Sequence, residues 1–322
     1  MFFEILSFII SCFLLAILSK SLVKTLIQVA KYLNLREFVV GFFIMAFATS
    51  LPNLFVDINA ALRGFPQLAF GDVVGGNLVD LTLVMAVAVL FSKKSISTKS
   101  SMVQTSAFFT GVIAILPLVL VLDGNLNRID GVILILTFLV YSIWMFSRQG
   151  NFQKIYNNKE KSKNETNVFW LLKNVGKLLL LLGLLLASSF IVINTAQFFA
   201  KSLGASLALV GVLIVGLGNC FPETYFSIIS ARKNEGWMIL GDLMGSVIVC
   251  ATLVLGLVAI ISPFTIIDFS PFLIARFFLL IAVIYYFFAI RTDKKITKKE
   301  GLLLLFLYIS FLITEIFLPH FR

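Results

Sequence analysis

The sequence predicts an all-α polytopic membrane protein with ten transmembrane helices in two inverted five-helix repeats. Composition gives the first reason. Of the 322 residues, 60% are hydrophobic and only 13% charged, with a mean hydropathy of +1.03, whereas soluble domains carry about 25% charged residues. The second reason is an internal duplication. Residues 41–84 return without a gap as residues 211–254: Gly41, Pro52, Gly71, Asp72, Gly75, Thr82, Leu83 and Val84 recur as Gly211, Pro222, Gly241, Asp242, Gly245, Thr252, Leu253 and Val254. The third is the placement of the basic residues, which marks one face of a membrane.

Stretches of about 20 apolar residues, the length that spans a bilayer core, fall at 2–19, 38–62, 67–91, 102–122 and 131–147. Five more follow at 177–200, 205–230, 238–262, 271–290 and 301–318. The first has no basic n-region and no small-residue cleavage site, so it reads as a helix and not as a secretory signal. The second and third carry the first copy of the duplicated segment, and the seventh and eighth carry the second. Both copies place helix breakers, amides and carboxylates inside apolar sequence, where lipid rejects them unless they face a partner or a water-filled cavity. The abundant phenylalanines are a lipid-facing property and mark no site. A Lys/Asn-rich stretch from about 148 to 170 is the one polar linker, so the chain divides into a first half 1–147, a linker 148–176 and a second half 177–322.

Most of the 26 lysines and arginines sit in loops after odd-numbered helices, among them Lys20, Lys24, Lys93, Lys94, Lys173, Lys177, Arg232, Lys233, Lys294 and Lys295. The other loops and their borders keep only Arg63, Arg128, Lys201 and Arg276, and Arg322 ends the chain. The positive-inside rule therefore places the odd loops and the central linker in the cytoplasm and both termini outside. Because five is odd, the second half enters the membrane from the opposite side to the first. The net charge of +10 belongs to this pattern and not to a nucleic-acid surface. Asn164 heads a glycosylation sequon that falls on the cytoplasmic side, where it is not used. Cys12, Cys220 and Cys250 all fall in helices, too few for a disulfide framework or a thiolate cluster. His320 is the only histidine, which leaves little room for histidine catalysis or zinc.

The polar residues of the duplication stack on helix faces. Thr49, Asn53 and Asp57 are spaced i, i+4, i+8, as are Asp72, Gly76 and Asp80. The second copy answers with Asn219, Glu223, Ser227 and with Asp242, Ser246, Cys250. Pro52 and Pro222 each precede the key amide or carboxylate and free a nearby carbonyl, a hard oxygen ligand suited to Na⁺ or Ca²⁺. A carboxylate at a helix centre costs roughly 2.5–3.5 kcal/mol on insertion scales, so Asp57, Asp72, Asp80, Glu223 and Asp242 left unpaired cost on the order of 12 kcal/mol or more. No lysine or arginine lies near the middle of a span to neutralise them, so the missing charge is a bound cation or protons. Structural roles compete at several positions: the glycines also suit close helix packing, Asp72 and Asp242 lie near helix starts, Asp57 can reach interfacial water, and Cys250 is a small packing residue.

On these residues the chain resembles the calcium/cation antiporter superfamily, whose sodium/calcium exchangers carry two inverted alpha-repeats in a ten-helix membrane domain. The family signatures run Gly-Thr-Ser-x-Pro-Glu and then Gly-Asn/Asp-x-x-Gly-Ser-Asn-x-x-Asn/Asp. Here they are matched by Ala48-Thr49-Ser50-Leu51-Pro52-Asn53 and Gly71-Asp72-Val73-Val74-Gly75-Gly76-Asn77-Leu78-Val79-Asp80 in the first copy. In the second they are matched by Gly218-Asn219-Cys220-Phe221-Pro222-Glu223 and Gly241-Asp242-Leu243-Met244-Gly245-Ser246-Val247-Ile248-Val249-Cys250. The resemblance implies cation ligation by Glu223 and Asp80, with Thr49, Ser50, Asn219 and Ser246 as further donors and Asn53 in a glutamate's place. Asp57, Asp72 and Asp242 add charge or carry protons.

The expected function is Ca²⁺/Na⁺ antiport by alternating access, driven by an ion gradient; no phosphate-binding motif points to ATP. No cofactor, nucleic acid or enzymatic step is expected, and Gly41 and Gly211 read as hinges. The alternatives are a Ca²⁺ or monovalent cation/proton exchanger, a non-transporting cation sensor, and an aspartyl protease built on Gly71-Asp72 and Gly241-Asp242. The protease reading fails on the flanking residues, which are not Gly-x-Gly-Asp. The compact chain suits a prokaryotic plasma membrane.

Overall fold

A computed structural model describes residues 2–32, 44–147, 168–266 and 270–317. Gly41, most of the polar linker and His320 lie outside them. In order, the helices are α1 (Phe2–Tyr32), α2 (Ile44–Thr49), α3 (Leu51–Leu62), α4 (Pro66–Val79), α5 (Met85–Phe91), α6 (Ser101–Leu120) and α7 (Arg128–Ser147). They continue with α8 (Val168–Leu203), α9 (Leu207–Val210), α10 (Gly216–Asn219), α11 (Phe221–Arg232), α12 (Gly236–Ile248), α13 (Leu255–Ile261), α14 (Ser270–Arg291) and α15 (Lys298–Phe317). Helix α8 already starts at Val168, within the stretch whose composition marks it as linker. Its first turns interleave apolar Trp170 and Leu172 with Lys173 and Lys177, whose long stems extend over apolar surface while their ammonium groups reach water.

Eight helical segments are long and apolar enough to cross a membrane, and two shorter apolar ones, Phe2–Leu18 and Leu51–Leu62, accompany them. The second expected span is not one continuous described helix, because the backbone breaks at Ser50 between α2 and α3. Burial separates centre from wall: in the apolar 18-residue stretch of each, 83% is buried within Pro66–Phe91 and 78% within Gly236–Ile261, against 28% within Lys298–Phe317. The most buried helices are therefore those that carry the duplicated acids.

Contacts come in matched pairs at the offset of the duplication. Helix α3 packs on α8 and α11 on α1; α7 packs on α13 and α15 on α5; α6 packs on α12 and α14 on α4. Short antiparallel ribbons repeat the scheme, β1 (Ile96–Ser97) with β4 (Lys295–Ile296) and β2 (Asn125–Leu126) with β3 (Phe264–Thr265). Helices α7 and α15 are capped alike. Asp130 Oδ2 accepts from Asn127 N at 2.8 Å and Glu300 Oε2 accepts from Thr297 N at 2.6 Å, each reaching back to the residue before its helix. At the turn from α3 to α4 the chain takes a positive φ at Gly64 (77°), and at the matching turn from α11 to α12 Asn234 takes 59°, the non-glycine that tolerates this conformation best.

Where the two copies cross, only glycine fits. A Cβ on Gly216 would meet Gly76 N at 2.8 Å, and one on Gly75 would meet Val212 Cα at 2.7 Å. The backbones of α4 and of the segment Gly211–Asn219 are thus in direct contact, as small residues permit between membrane helices.

Candidate functional site

Pro52 and Pro222 shape the centre. A proline has no N–H for the carbonyl four residues back, and in both copies the helix ends three residues before it, at Thr49 and at Asn219. Ser50 (φ −78°, ψ −3°) and Cys220 (φ −82°, ψ 6°) form the same break. Each proline then sits in the first turn of the next helix, where no hydrogen bond is lost. A second irregularity follows in α4 and α12: the wide π turns Asp80–Val84 and Val249–Val254, a feature that gathers at functional sites. In both, a threonine hydroxyl, Thr82 or Thr252, bonds back to the carbonyl of Leu78 or Ile248.

The breaks bring the copies together crosswise. Thr49 Oγ1 donates to Asp242 Oδ1 at 2.9 Å, and its counterpart Asn219 donates from Nδ2 to Asp72 Oδ2 at 2.6 Å. Ser50 Oγ donates to Ser246 Oγ at 3.2 Å, and its counterpart Cys220 directs Sγ at Gly76 O at 3.6 Å. Every one of these bonds joins one copy to the other.

Five carboxyl groups surround this cross, all at most 2% exposed. Ser246 Oγ also meets Glu223 Oε1 at 3.2 Å. Asp80 adjoins Ser246 and Cys220, and Asp242 and Asp80 lie near Glu223. Asp57 and Asp72 stand side by side within hydrogen-bonding reach of each other. Asp57 therefore does not reach interfacial water: α3 and α4 turn it inward, where it is fully buried. Asn53 lies over Gly76, with Nδ2 3.6 Å from where a Cβ on that glycine would stand. Oxygens left without a hydrogen-bond partner among the described residues include Asn53 Oδ1, both of Asp57, Asp72 Oδ1, Asp80 Oδ1, Asn219 Oδ1, Glu223 Oε2 and Asp242 Oδ2. Buried polar groups are otherwise almost always paired, so a row of open, hard oxygens such as this could hold a cation.

Among the described residues no three carboxylates, thiols or imidazoles stand close enough to hold a metal ion by themselves. A cation here also needs hydroxyl, amide and backbone oxygens. Hydrogen bonds link Thr49 to Asp242, Ser50 through Ser246 to Glu223, and Asn219 to Asp72 with Asp57 beside it, and Asp72 and Asp80 lie within electrostatic reach of each other. The single helical stripe expected through Thr49, Asn53 and Asp57 is instead split by the break at Ser50. Sequence reasoning missed Cys220 because thiols read as packing residues. Its register could have found it, since Cys220 stands where Ser50 stands in the first copy.

The sodium/calcium exchanger protein family matches residues 3–147 and again residues 173–317. The chain belongs to that family. It is similar to the sodium/calcium exchanger MaX1 of Methanosarcina acetivorans, 24% identical over 325 residues, with 90% of this chain and 92% of that protein covered. It is 28% identical to an uncharacterized membrane protein, MJ0091, of Methanocaldococcus jannaschii, covering 68% and 69% of the two chains. The solved structure of the sodium-calcium exchanger NCX_Mj, soaked with 10 mM Na⁺ and zero Ca²⁺, matches with a TM-score of 0.66 at 23% identity over 97% and 98% of the two chains. A member of this family is a multi-pass integral membrane protein of the calcium/cation antiporter superfamily, and such proteins are transporters of inorganic cations.

Proposed function

We propose that the protein exchanges Ca²⁺ for Na⁺ across a prokaryotic plasma membrane by alternating access. In this reading ten helices form two inverted halves, with both termini outside and the central loop cytoplasmic. The convergence of Glu223, Asp80, Ser246 and Ser50 at a buried junction between the two copies, with carboxylate oxygens left open, carries the reading. Glu223 and Asp80 supply two negative charges, enough to neutralise one Ca²⁺. Thr49, Ser50 and Ser246 add neutral oxygens, Asn53 takes the place of a family glutamate, and Asp242 is held by Thr49. Carboxylates without a counter-charge are costly in a buried site, so the protein changes face only when cations occupy them. Each half then rocks about the glycine crossing, as in other repeat-built transporters.

A second reading, exchange of a cation for protons, is favoured by Asn53 and by the extra acids Asp57, Asp72 and Asp242. The test is ⁴⁵Ca²⁺ uptake into proteoliposomes loaded with Na⁺, repeated with K⁺ or a pH gradient. Glu223→Gln and Asp80→Asn serve as controls. Uptake that needs internal Na⁺ and is lost in both variants supports Ca²⁺/Na⁺ exchange. Uptake driven only by the pH gradient moves the assignment to proton coupling, and no flux under any gradient refutes calcium transport.

A further inference from the structure

Helix α14 reaches the site from outside the duplicated segments. It packs on α4 and on the π turn that opens at Asp80, and its buried stripe runs Phe272, Ala275, Leu279, Ala282, Tyr286 and Ala289. Tyr286 is the polar member of that stripe. It is 2% exposed, its Oη has no hydrogen-bond partner among the described residues, and Asp80 lies within its electrostatic reach. Buried hydroxyls are seldom left open, so one held this close to an acid of the site points to a shared task. We infer that Tyr286 is a positioning residue of the cation site: when the cation leaves Asp80, the phenol donates a hydrogen bond to the freed carboxylate, so tyrosine and cation compete for one acid.

The other half of the chain supplies the comparison. Strands β1 and β3 stand 168 residues apart, Ile96 to Phe264, and the same offset lays Ala275 and Ala282 of α14 on Ala107 and Ala114 of α6. It lays Tyr286 on Leu118, which is buried as well. Helix α6 packs on α12 and on its π turn, where the place of Asp80 is held by Cys250. Acid and tyrosine therefore occur together in one half and are missing together from the other. Because the frame packs with leucine at this position, the phenol is not a requirement of packing.

A phenol suits the task. Asp80 already meets the Ser246 hydroxyl and the Cys220 thiol, and a thiol is a weak donor. An O–H bonded to an ionised oxygen is about twice as strong as a neutral pair, so Tyr286 can hold an emptied carboxylate that burial otherwise penalises. Unlike a lysine, it brings no fixed positive charge that would keep the cation out. The inference rests on the exchanger reading and deepens it: an acid that finds a donor as it empties lets its cation go.

The experiment is equilibrium binding and proteoliposome uptake of ⁴⁵Ca²⁺ by the full chain carrying Tyr286→Phe, which keeps the ring and removes the hydroxyl. Without its competitor the cation should bind about tenfold tighter, the size of one hydrogen bond to a charged group. KM should fall together with the maximal rate, because release slows. Tyr141→Phe, which removes a buried hydroxyl from α7, should leave Kd, KM and rate unchanged. A Kd that stays the same or weakens in Tyr286→Phe overturns the inference, and so does failure of that variant to fold, which would make the hydroxyl a packing group. A second arm needs no calcium. Tyr286→Phe should lower the melting temperature of the cation-free protein, and lower it less in an Asp80→Asn background, a coupling between the two side chains; equal drops in both backgrounds overturn the inference. If the exchanger reading fails, the unaltered chain shows no ⁴⁵Ca²⁺ binding or flux, and the second arm still decides whether Tyr286 serves Asp80.

Discussion

Adding one methyl group at Gly211 probes the crossing on which the candidate site depends. A Cβ there would stand 3.0 Å from Asp72 N and 3.1 Å from Gly71 Cα, and closer still to Leu68 O. All three are backbone atoms of α4, so no side chain can rotate out of the way. The crossing must open by roughly 0.5–1 Å, and a gap of that size forfeits a quarter to a half of the dispersion energy along the seam. Overpacking of this kind costs about 1–3 kcal/mol. The same opening draws Asp72 away from Asn219, which now donates to it at 2.6 Å, so cation flux should fall along with stability. The assay is the melting temperature of the purified protein, followed by tryptophan fluorescence, beside uptake into proteoliposomes. Gly211→Ala should melt several degrees lower. Gly183→Ala on α8, where nothing lies within 4 Å of the added methyl, should melt at or slightly above the unaltered protein because alanine is the better helix former. A Gly211→Ala protein that melts and transports like the unaltered one would refute the argument.

Further outcomes follow from the same geometry. Thr49→Val removes the donor to Asp242 Oδ1, whose second oxygen already has no partner; stability should drop by about 1.5–3 kcal/mol, whereas Thr49→Ser should stay close to unaltered in a denaturant or thermal scan. Calcium at 100 times its Kd should stabilise the protein by about 2.7 kcal/mol, seen as a rise in melting temperature that Glu223→Gln abolishes. Asn53→Glu crowds another carboxylate against the acids near Gly76, so the cation-free protein should melt lower and the calcium-induced rise should grow. Cys220→Ser puts a hard oxygen where a soft sulfur faces Gly76 O and Asp80; Ca²⁺ binding should hold or tighten, and a weaker Kd in ⁴⁵Ca²⁺ titration would show that the thiol is needed for packing.

Much of this site was readable from the register of the duplication. Asp72 and Asp242, Thr49 and Asn219 are counterparts by sequence, and the bonds 49 to 242 and 219 to 72 are the same bond made twice. Helix plan and site partners were harder. Helical spacing puts Thr49, Asn53 and Asp57 on one stripe, but the helix stops at Ser50, so Thr49 reaches across to Asp242 while Asp57 turns to Asp72. Pro52 announced a disturbance in that helix, yet a proline kinks some helices and starts others, and only the packing around Ser50 decides which. Asp57 could equally have faced water on spacing alone. Its burial depends on where α4 lies, and no local pattern carries that.

Sequence by itself determined that the chain lives in a membrane, because hydropathy and the placement of lysines and arginines are sums over local composition. It also determined which residues carry chemistry, because carboxylates and amides inside apolar spans must have partners. The tertiary structure alone decided who those partners are. Glycine contacts such as Gly211 on Gly71 and Gly75 on Val212 bring residues far apart in the chain within bonding distance. Such contacts depend on how two backbones cross, and that crossing decides which partner each buried acid meets.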